Sequence, residues 1–375
     1  MSNVATFVVP IRWDDVSEEI VWLDNSRIPW NEVYTSSKDL HRLITAIQGL
    51  EIRGAPILGE AGAYGTAMVA NNSPNSNDQI LKNAIEQGDL LAAARPTAVN
   101  LGWGVRKIQE VIRSEIGKGS SAPDVKAAAI DCAKKIQIDN VYATVKIGEH
   151  GKTLIHDGDV LVTVCNAGTL ACDGLGTSTA PMRAAWADGV RFRVLTTYTA
   201  PLYQGARLTA WELKKDGIPV QVITDNMAGH LMREEKATAV WAGADRILGN
   251  YSEESGTVYN KIGTFGLSLM AKELGVKMYV AAPTSTIDPL HTVADVRIEQ
   301  RKPQEVETLF GGTTVVPKVV GVINPAFDRT PPSLVSAIVT EMGVVEFPYS
   351  SSIPALLESE GSMVKLSHDS PGKRQ

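Results

Sequence analysis

An α/β protein, with a parallel sheet of about six strands following a smaller α+β unit, is what this sequence predicts from three observations. From residue 154 onward, short apolar runs recur at Val160–Val164, Phe192–Leu195, Val220–Ile223, Ala239–Trp241, Lys277–Ala281 and Val319–Ile323. Helical patterns over 177–187, 204–216, 226–236 and 262–274 fall between most of them. Near-continuous apolar strands alternating with helices mark a parallel sheet covered by helices, a Rossmann-like array. The third observation is that the first part of the chain lacks this rhythm. The chain therefore divides into an α+β unit over 1–148, a Rossmann-like unit over 149–349, and a polar, mobile tail over 350–375.

In chain order, Thr6–Trp13, Glu19–Leu23 and Ile28–Trp30 alternate as strands of a small meander, with turns at Asp14-Asp15 and Asp24-Asn25. Leu40, Leu43, Ile44 and Ile47 have the spacing of an amphipathic helix capped by Ser36 or Ser37. Ile52-Arg53-Gly54-Ala55-Pro56 is a tight basic turn into a helix of small residues, which lets a neighbouring backbone come close. A polar stretch opens a helix ending near Gly88, and Ala94-Arg95-Pro96 is a second arginine turn before a helix reaching about Gly117. A further helix covers Pro123 to Ile138, and Lys146–Gly151 is the candidate interdomain boundary. The passage 284–316 is looser and closes on Phe310-Gly-Gly-Thr; Pro331–Met342 reads as the last helix.

A length of 375 residues gives ample core for two domains. The 44% hydrophobic and 21% charged fractions are those of a globular protein, and a net charge of −6 argues against a nucleic-acid-coating function. Three cysteines make no even disulfide framework and suit a reducing cytoplasm. No apolar run reaches the ~18 residues of a membrane span, and Met1–Ile11 lacks a signal-peptide pattern. No metal is expected, since the histidines are scattered and neither C-x-x-C nor H-E-x-x-H occurs. A nicotinamide cofactor is not expected either, because no G-x-G-x-x-G follows the first long strand; G-x-x-x-x-G-K-[ST] is also absent.

In an open parallel sheet the loops after the strands make the site. The first such loop is Cys165-Asn166-Ala-Gly168, which puts a thiol at a strand end beside backbone N–H groups able to hold an anion. Cys165 reads equally as a buried small hydrophobe or as a functional thiol. Asp225 is a helix cap or a site carboxylate; Asp245 is an ion-pair partner of Arg246 or, after the small pair Gly243-Ala244, a catalytic acid. His230 suits packing or capping, and Cys132 and Cys172 suit structure. Arg53 and Arg95 are surface arginines or, as two turns upstream of one anion-friendly sheet, phosphate clamps.

Eight segments in order bear a resemblance to a known family. They are Arg53-Gly-Ala-Pro56, Ala94–Leu101, Cys165-Asn-Ala-Gly168, Gln204–Leu213, Ile223-Thr-Asp225, Gly243-Ala-Asp-Arg246, Asn260–Thr264 and Asn324-Pro-Ala-Phe-Asp328. Together they resemble the methylthioribose-1-phosphate isomerase family, in the superfamily shared with the regulatory α, β and δ subunits of translation initiation factor 2B. The likeness covers roughly residues 45–345. It implies an aldose–ketose isomerase without a cofactor, a phosphosugar substrate, a homodimer, and a place in methionine salvage. Carried over, Cys165 and Asp245 are the catalytic pair. Arg53, Gly54, Ala55, Arg95, Gln204, Asn260 and Lys261 are the substrate and phosphate contacts.

Two departures bear on the substrate. Family members commonly read Glu-Thr-Arg-Pro where this chain has Tyr198-Thr199-Ala200-Pro201, and the passage Tyr251–Tyr259 is longer, inserted beside the expected site. Methylthioribose 1-phosphate is the leading substrate, with 5-deoxyribose 1-phosphate and ribose 1-phosphate as competitors. A non-catalytic, initiation-factor-like subunit that binds a sugar phosphate or nucleotide is the rival of another class.

Overall fold

A computed structural model describes residues 8–95, 98–309 and 312–359. The chain starts as an antiparallel meander of β1 (Ile11–Asp14), β2 (Glu19–Leu23) and β3 (Tyr34–Ser37). The third strand is thus not Ile28–Trp30, which forms a turn; Thr6 and Phe7 lie outside the described residues. α1 (Leu40–Gln48) is capped by Asp39, whose carboxylate accepts the N–H groups of His41 and Arg42, and not by Ser36 or Ser37.

Four long helices follow: α2 (Ala55–Asn72), α3 (Asn77–Ala92), α4 (Val99–Gly117) and α5 (Ala122–Gly151). They share a core of buried apolar residues that includes Leu43, Ile57, Leu101, Ile108 and Val125. The small residues of α2 act as expected. A Cβ on Gly104 of α4 would stand 2.0 Å from the carbonyl oxygen of Gly59, so these two backbones touch. α3 runs on through Gly88, which is buried against Val105 and Gln109. α5 runs unbroken through 146–151. Its first half is buried among the helices at Val125 and Ala133, while Ile147 joins a core under the sheet.

The second half contains β4 (Val160–Thr163), α6 (Thr169–Cys172), α7 (Ala180–Ala187), β5 (Arg193–Thr197), α8 (Ala210–Lys215) entered through a π-helical turn at Gly205–Thr209, and β6 (Val220–Ile223). After these come α9 (Ala228–Glu234), β7 (Ala239–Ala242), β8 (Arg246–Leu248), β9 (Val258–Lys261), α10 (Thr264–Leu274) and β10 (Lys277–Ala281). The last elements are β11 (Ile287–Asp288), α11 (Gln304–Glu307), β12 (Phe327–Thr330), β13 (Ala337–Thr340), β14 (Gly343–Glu346) and α12 (Tyr349–Ser359). A seven-stranded sheet runs β6-β5-β4-β7-β10-β13-β14, all parallel except the antiparallel edge β14. Alternation along β4 shows why both faces are covered: Val160 and Val162 join the core with α9, α10 and α12, and Leu161 joins the core with α5, α7 and α8.

Three expectations fail here. Val319–Ile323 is not a strand; Val319 and Ile323 are almost fully exposed, and β13 takes the place beside β10. Pro331–Met342 is not a helix but a short turn followed by β13, because a four-residue buried run has no period to tell strand from helix. The tail assigned to 350–375 begins as α12, with Tyr349 and Ile353 buried; residues 360–375 lie outside the described residues. A small sheet in the order β11-β8-β9-β12 is a further element that the apolar runs do not predict.

Chain direction in the large sheet turns at β4. Later strands go first to one side, to β5 and β6, then to the other, to β7, β10 and β13. Open sheets hold ligands in the crevice beyond such a reversal, at the carboxyl ends of the two strands that flank it. Those strands are β4 and β7, and they lead directly into Cys165 and Asp245.

Candidate active site

A cavity of about 390 Å³ occupies this crevice, between the helical layer and the small sheet. All nine residues expected from the sequence line it: Cys165, Asp245, Arg53, Gly54, Ala55, Arg95, Gln204, Asn260 and Lys261. Pro96 and Thr97, in the second arginine turn, lie outside the described residues.

Cys165 ends the strand path by taking a left-handed backbone, φ +65°. The loop after it is tied down from below. Asn166 accepts from Arg53 Nη1 at 2.6 Å and donates to Glu212 Oε1 at 2.9 Å. Glu212 also accepts the N–H groups of Thr169 and Leu170, at 2.8 and 3.0 Å, and so caps α6. The charge on Glu212 is met by buried Arg183, whose Nη2 lies 2.9 Å away and whose Nε lies 2.7 Å from Asp216. The Gln204–Leu213 segment thereby serves two ends: Gln204 in the cavity wall and Glu212 in the support beneath it.

Gly54 brings Arg53 into reach. It has φ +98°, and a Cβ there would stand 2.3 Å from the carbonyl oxygen of Ala171. Gly54→Ala is expected to destabilise the protein by at least ~1 kcal/mol and to raise KM as Arg53 is pushed aside; urea unfolding and steady-state kinetics check it.

Asp245 lines the cavity and is itself solvent-accessible. Burial raises its pKa, while Lys261, Arg53 and Arg95 pull it down and Glu299 pushes it further up. It does not pair with Arg246, which bonds Asp288 Oδ2 at 2.8 Å. Lys261 is buried, and burial lowers its pKa against the opposing charges of Cys165 and Asp245. One ammonium therefore interacts with both proposed reacting groups. Its Nζ also lies 5.4 Å from the ring centre of Phe327. Arg95 is likewise lowered by burial and by the cations Arg301 and Arg53, with Glu299 and Asp245 opposing. Gln204 also lines the cavity, and its Oε1 is buried without a hydrogen-bond partner among the described residues.

Nothing in the local pattern points to Glu299 and Arg301, which line the cavity from the loose passage after β11. Arg301 is braced by Glu305, Nη2 to Oε1 at 2.5 Å, and Asn324 Nδ2 donates to the same carboxylate at 3.1 Å. Cys172, expected to be structural, also borders the cavity; burial pushes its thiol up to about 12. Asp225 lies outside the cavity lining and caps no helix of its own: its carboxylate accepts the N–H groups of Thr199 and Ala200. His230 is exposed on α9. The Tyr198–Pro201 departure does not border the cavity, and the longer passage Tyr251–Tyr259 meets it only at its last residue. Tyr198 stacks edge-on against Tyr203, and Tyr251 reaches away to Glu358 on α12; of the longer passage only Tyr259 is in the wall.

Residues 51–347 match the initiation factor 2 subunit family. Methylthioribose-1-phosphate isomerase of Geobacillus thermodenitrificans is 40% identical over 361 residues, 95% of this chain and 98% of its own. The isomerase of that name from Geobacter metallireducens is 40% identical over 350 residues, 93% and 98% of the two chains. Among solved structures, 5-methylthioribose 1-phosphate isomerase from Pyrococcus horikoshii OT3 superposes with a TM-score of 0.87 at 32% identity, covering 95% of this chain and 97% of that one. Translation initiation factor eIF-2B subunit delta from A. fulgidus gives 0.83 at 39% identity, covering 94% and 99%.

Proposed function

This chain belongs to the initiation factor 2 subunit family, and on that premise we propose that it isomerises 5-methylthioribose 1-phosphate to 5-methylthioribulose 1-phosphate, a step of methionine salvage. The observation that carries the reading is the meeting of Cys165, Asp245 and Lys261 in one cavity. Its volume is within the range of small-molecule sites, and Arg53, Arg95 and Lys261 supply the cations a phosphate needs.

Phosphate on the anomeric oxygen locks the sugar ring, so opening needs an acid at the ring oxygen. Asp245, whose pKa is raised by desolvation, fills that role. Its proton passes to the ring oxygen as the bond to C1 breaks, and electron density from the phosphate-bearing oxygen supports C1. The hydrogen on C2 then moves to C1, and the ionised Asp245 takes the proton of the C2 hydroxyl as the ketone forms. Two routes serve that hydrogen: Cys165 takes it as a proton and returns it to C1, or it shifts directly as hydride. Arg53, Arg95, Gln204, Asn260 and Lys261, with the Gly54-Ala55 turn, hold phosphate and sugar still, and fixed geometry of this kind is worth several kcal/mol, order of magnitude.

The same proposal includes a homodimer, a cytoplasmic location in keeping with three free cysteines, and two units that share α5 near residue 148. Its test is a panel of 5-substituted ribose 1-phosphates with NMR detection of the ketose, run in D₂O. The expected result is a kcat/KM at least about tenfold higher for the methylthio sugar than for the 5-deoxy or 5-hydroxy sugars. Deuterium at C1 of the product marks the proton route with exchange at the thiol. Binding without any turnover across the panel overturns the reading in favour of a non-catalytic, initiation-factor-like subunit that binds a sugar phosphate.

A further inference from the structure

Cys165 and Thr199 both have left-handed backbones, φ +65° and +59°, and they are bonded to each other. Such conformations are unfavourable for residues other than glycine, most of all for a β-branched threonine, and persist where surrounding bonds over-determine them. Those bonds are present. The Cys165 N–H donates to Thr199 Oγ1 at 2.8 Å, and the Cys165 carbonyl accepts from Thr209 Oγ1 at 2.6 Å. Both hydroxyl side chains belong to residues that are 1% exposed, and neither residue lines the cavity.

Thr199 is itself anchored from outside the core. Its N–H and that of Ala200 donate to the two carboxylate oxygens of Asp225, at 2.8 and 2.9 Å. Asp225 is exposed and makes no part of the cavity wall. A carboxylate after β6 thus holds the loop after β5, and that loop holds the thiol after β4. Three neighbouring strand ends are tied in series.

We propose that Thr199, anchored by Asp225 and matched by Thr209 on the carbonyl side, is a positioning residue that sets the direction of the Cys165 thiol for the reaction. The proposal rests on the reading of Cys165 as a reacting group. Without the Thr199 hydroxyl, the Cys165 N–H loses its partner and the left-handed turn loses one of the two bonds that define it. A displacement of about an ångström at a reacting atom is enough to lower a rate on the order of 100-fold.

The test compares kcat, KM and thermal midpoint for Thr199→Val, Thr199→Ser, Asp225→Ala and Cys165→Ser. Thr199→Val is expected to lower kcat about 100-fold with KM within about threefold of wild type, because phosphate binding does not pass through the threonine. Thr199→Ser restores the acceptor and recovers most of that loss. Asp225→Ala lowers kcat about tenfold in a folded protein, since its site is exposed. The rate of iodoacetamide labelling, followed by peptide mass, changes at Cys165 in Thr199→Val and Asp225→Ala while labelling of Cys132 stays constant. Wild-type kcat in folded Thr199→Val or Asp225→Ala overturns the proposal; if Thr199→Val does not fold, Asp225→Ala decides. Inert Cys165→Ser beside fully active Asp225→Ala and Thr199→Val rejects the positioning role and spares the thiol. Active Cys165→Ser rejects the thiol reading, and this proposal with it.

Discussion

Turnover falls by a factor of about 10³ when Asp245 is replaced by asparagine, the size of effect expected for loss of a general acid. Asparagine keeps the shape but has no acidic proton to give the ring oxygen. Cys165→Ser in the same assay is also expected to be inactive, because serine is a far weaker base and nucleophile. Neither change should move the unfolding midpoint much, since among the described residues no hydrogen bond of the Asp245 carboxyl or the Cys165 thiol supports the core. The pH profile adds a second check. Burial raises the pKa of Asp245, so its acid form persists to higher pH than an ordinary carboxyl would allow. kcat/KM should therefore hold at low pH and fall as pH rises through that raised value. The residual rate of Asp245→Asn should lack this alkaline limb. Wild-type turnover in purified Asp245→Asn or Cys165→Ser would refute the role given to that residue.

Glu212→Ala is expected to destabilise the fold by about 3–5 kcal/mol, well beyond the strain of a Cβ at Gly54. Glu212 and Arg183 are almost entirely buried, with 2% and 4% of their side chains exposed. Removing the carboxylate leaves a guanidinium in the core with, among the described residues, only Asp216 to balance it. It also takes the carboxylate acceptor from the N–H groups of Thr169 and Leu170 and leaves the Asn166 amide only its longer bond to Thr209 Oγ1, 3.2 Å. Glu212→Gln keeps the volume and one acceptor oxygen, so its loss should be smaller. Urea denaturation of the three proteins checks the order. A midpoint for Glu212→Ala equivalent to less than about 1 kcal/mol of destabilisation would show that the ion pair is not the support described.

Much of this site is legible along the chain because each part sits where a regular element ends. Cys165 follows an apolar strand, Asp245 follows another, and Arg53 precedes a proline-started helix; a break in hydrophobic pattern marks each place. The supporting residues carry no such mark. Glu212 and Arg183 lie inside helices, away from any break in the pattern. Arg301 lies in a passage without periodicity. β13 reads as part of a helix because four buried residues cannot display a period, and Val319–Ile323 reads as a strand because apolar composition does not say whether a sheet has room for it.

The sequence by itself determined the α/β class, the strand–helix rhythm after residue 154, and which polar residues end the strands, since these follow from local pattern and backbone preference. Only the tertiary structure decided that β4 and β7 flank the reversal of strand order, so that Cys165 and Asp245 share one cavity. It also decided that Tyr198 and the 251–258 loop face elsewhere and that Cys172, Glu299 and Arg301 join the wall. Strand order and loop direction arise from long-range packing of faces that are alike in sequence, and local spacing does not encode which of those faces meet.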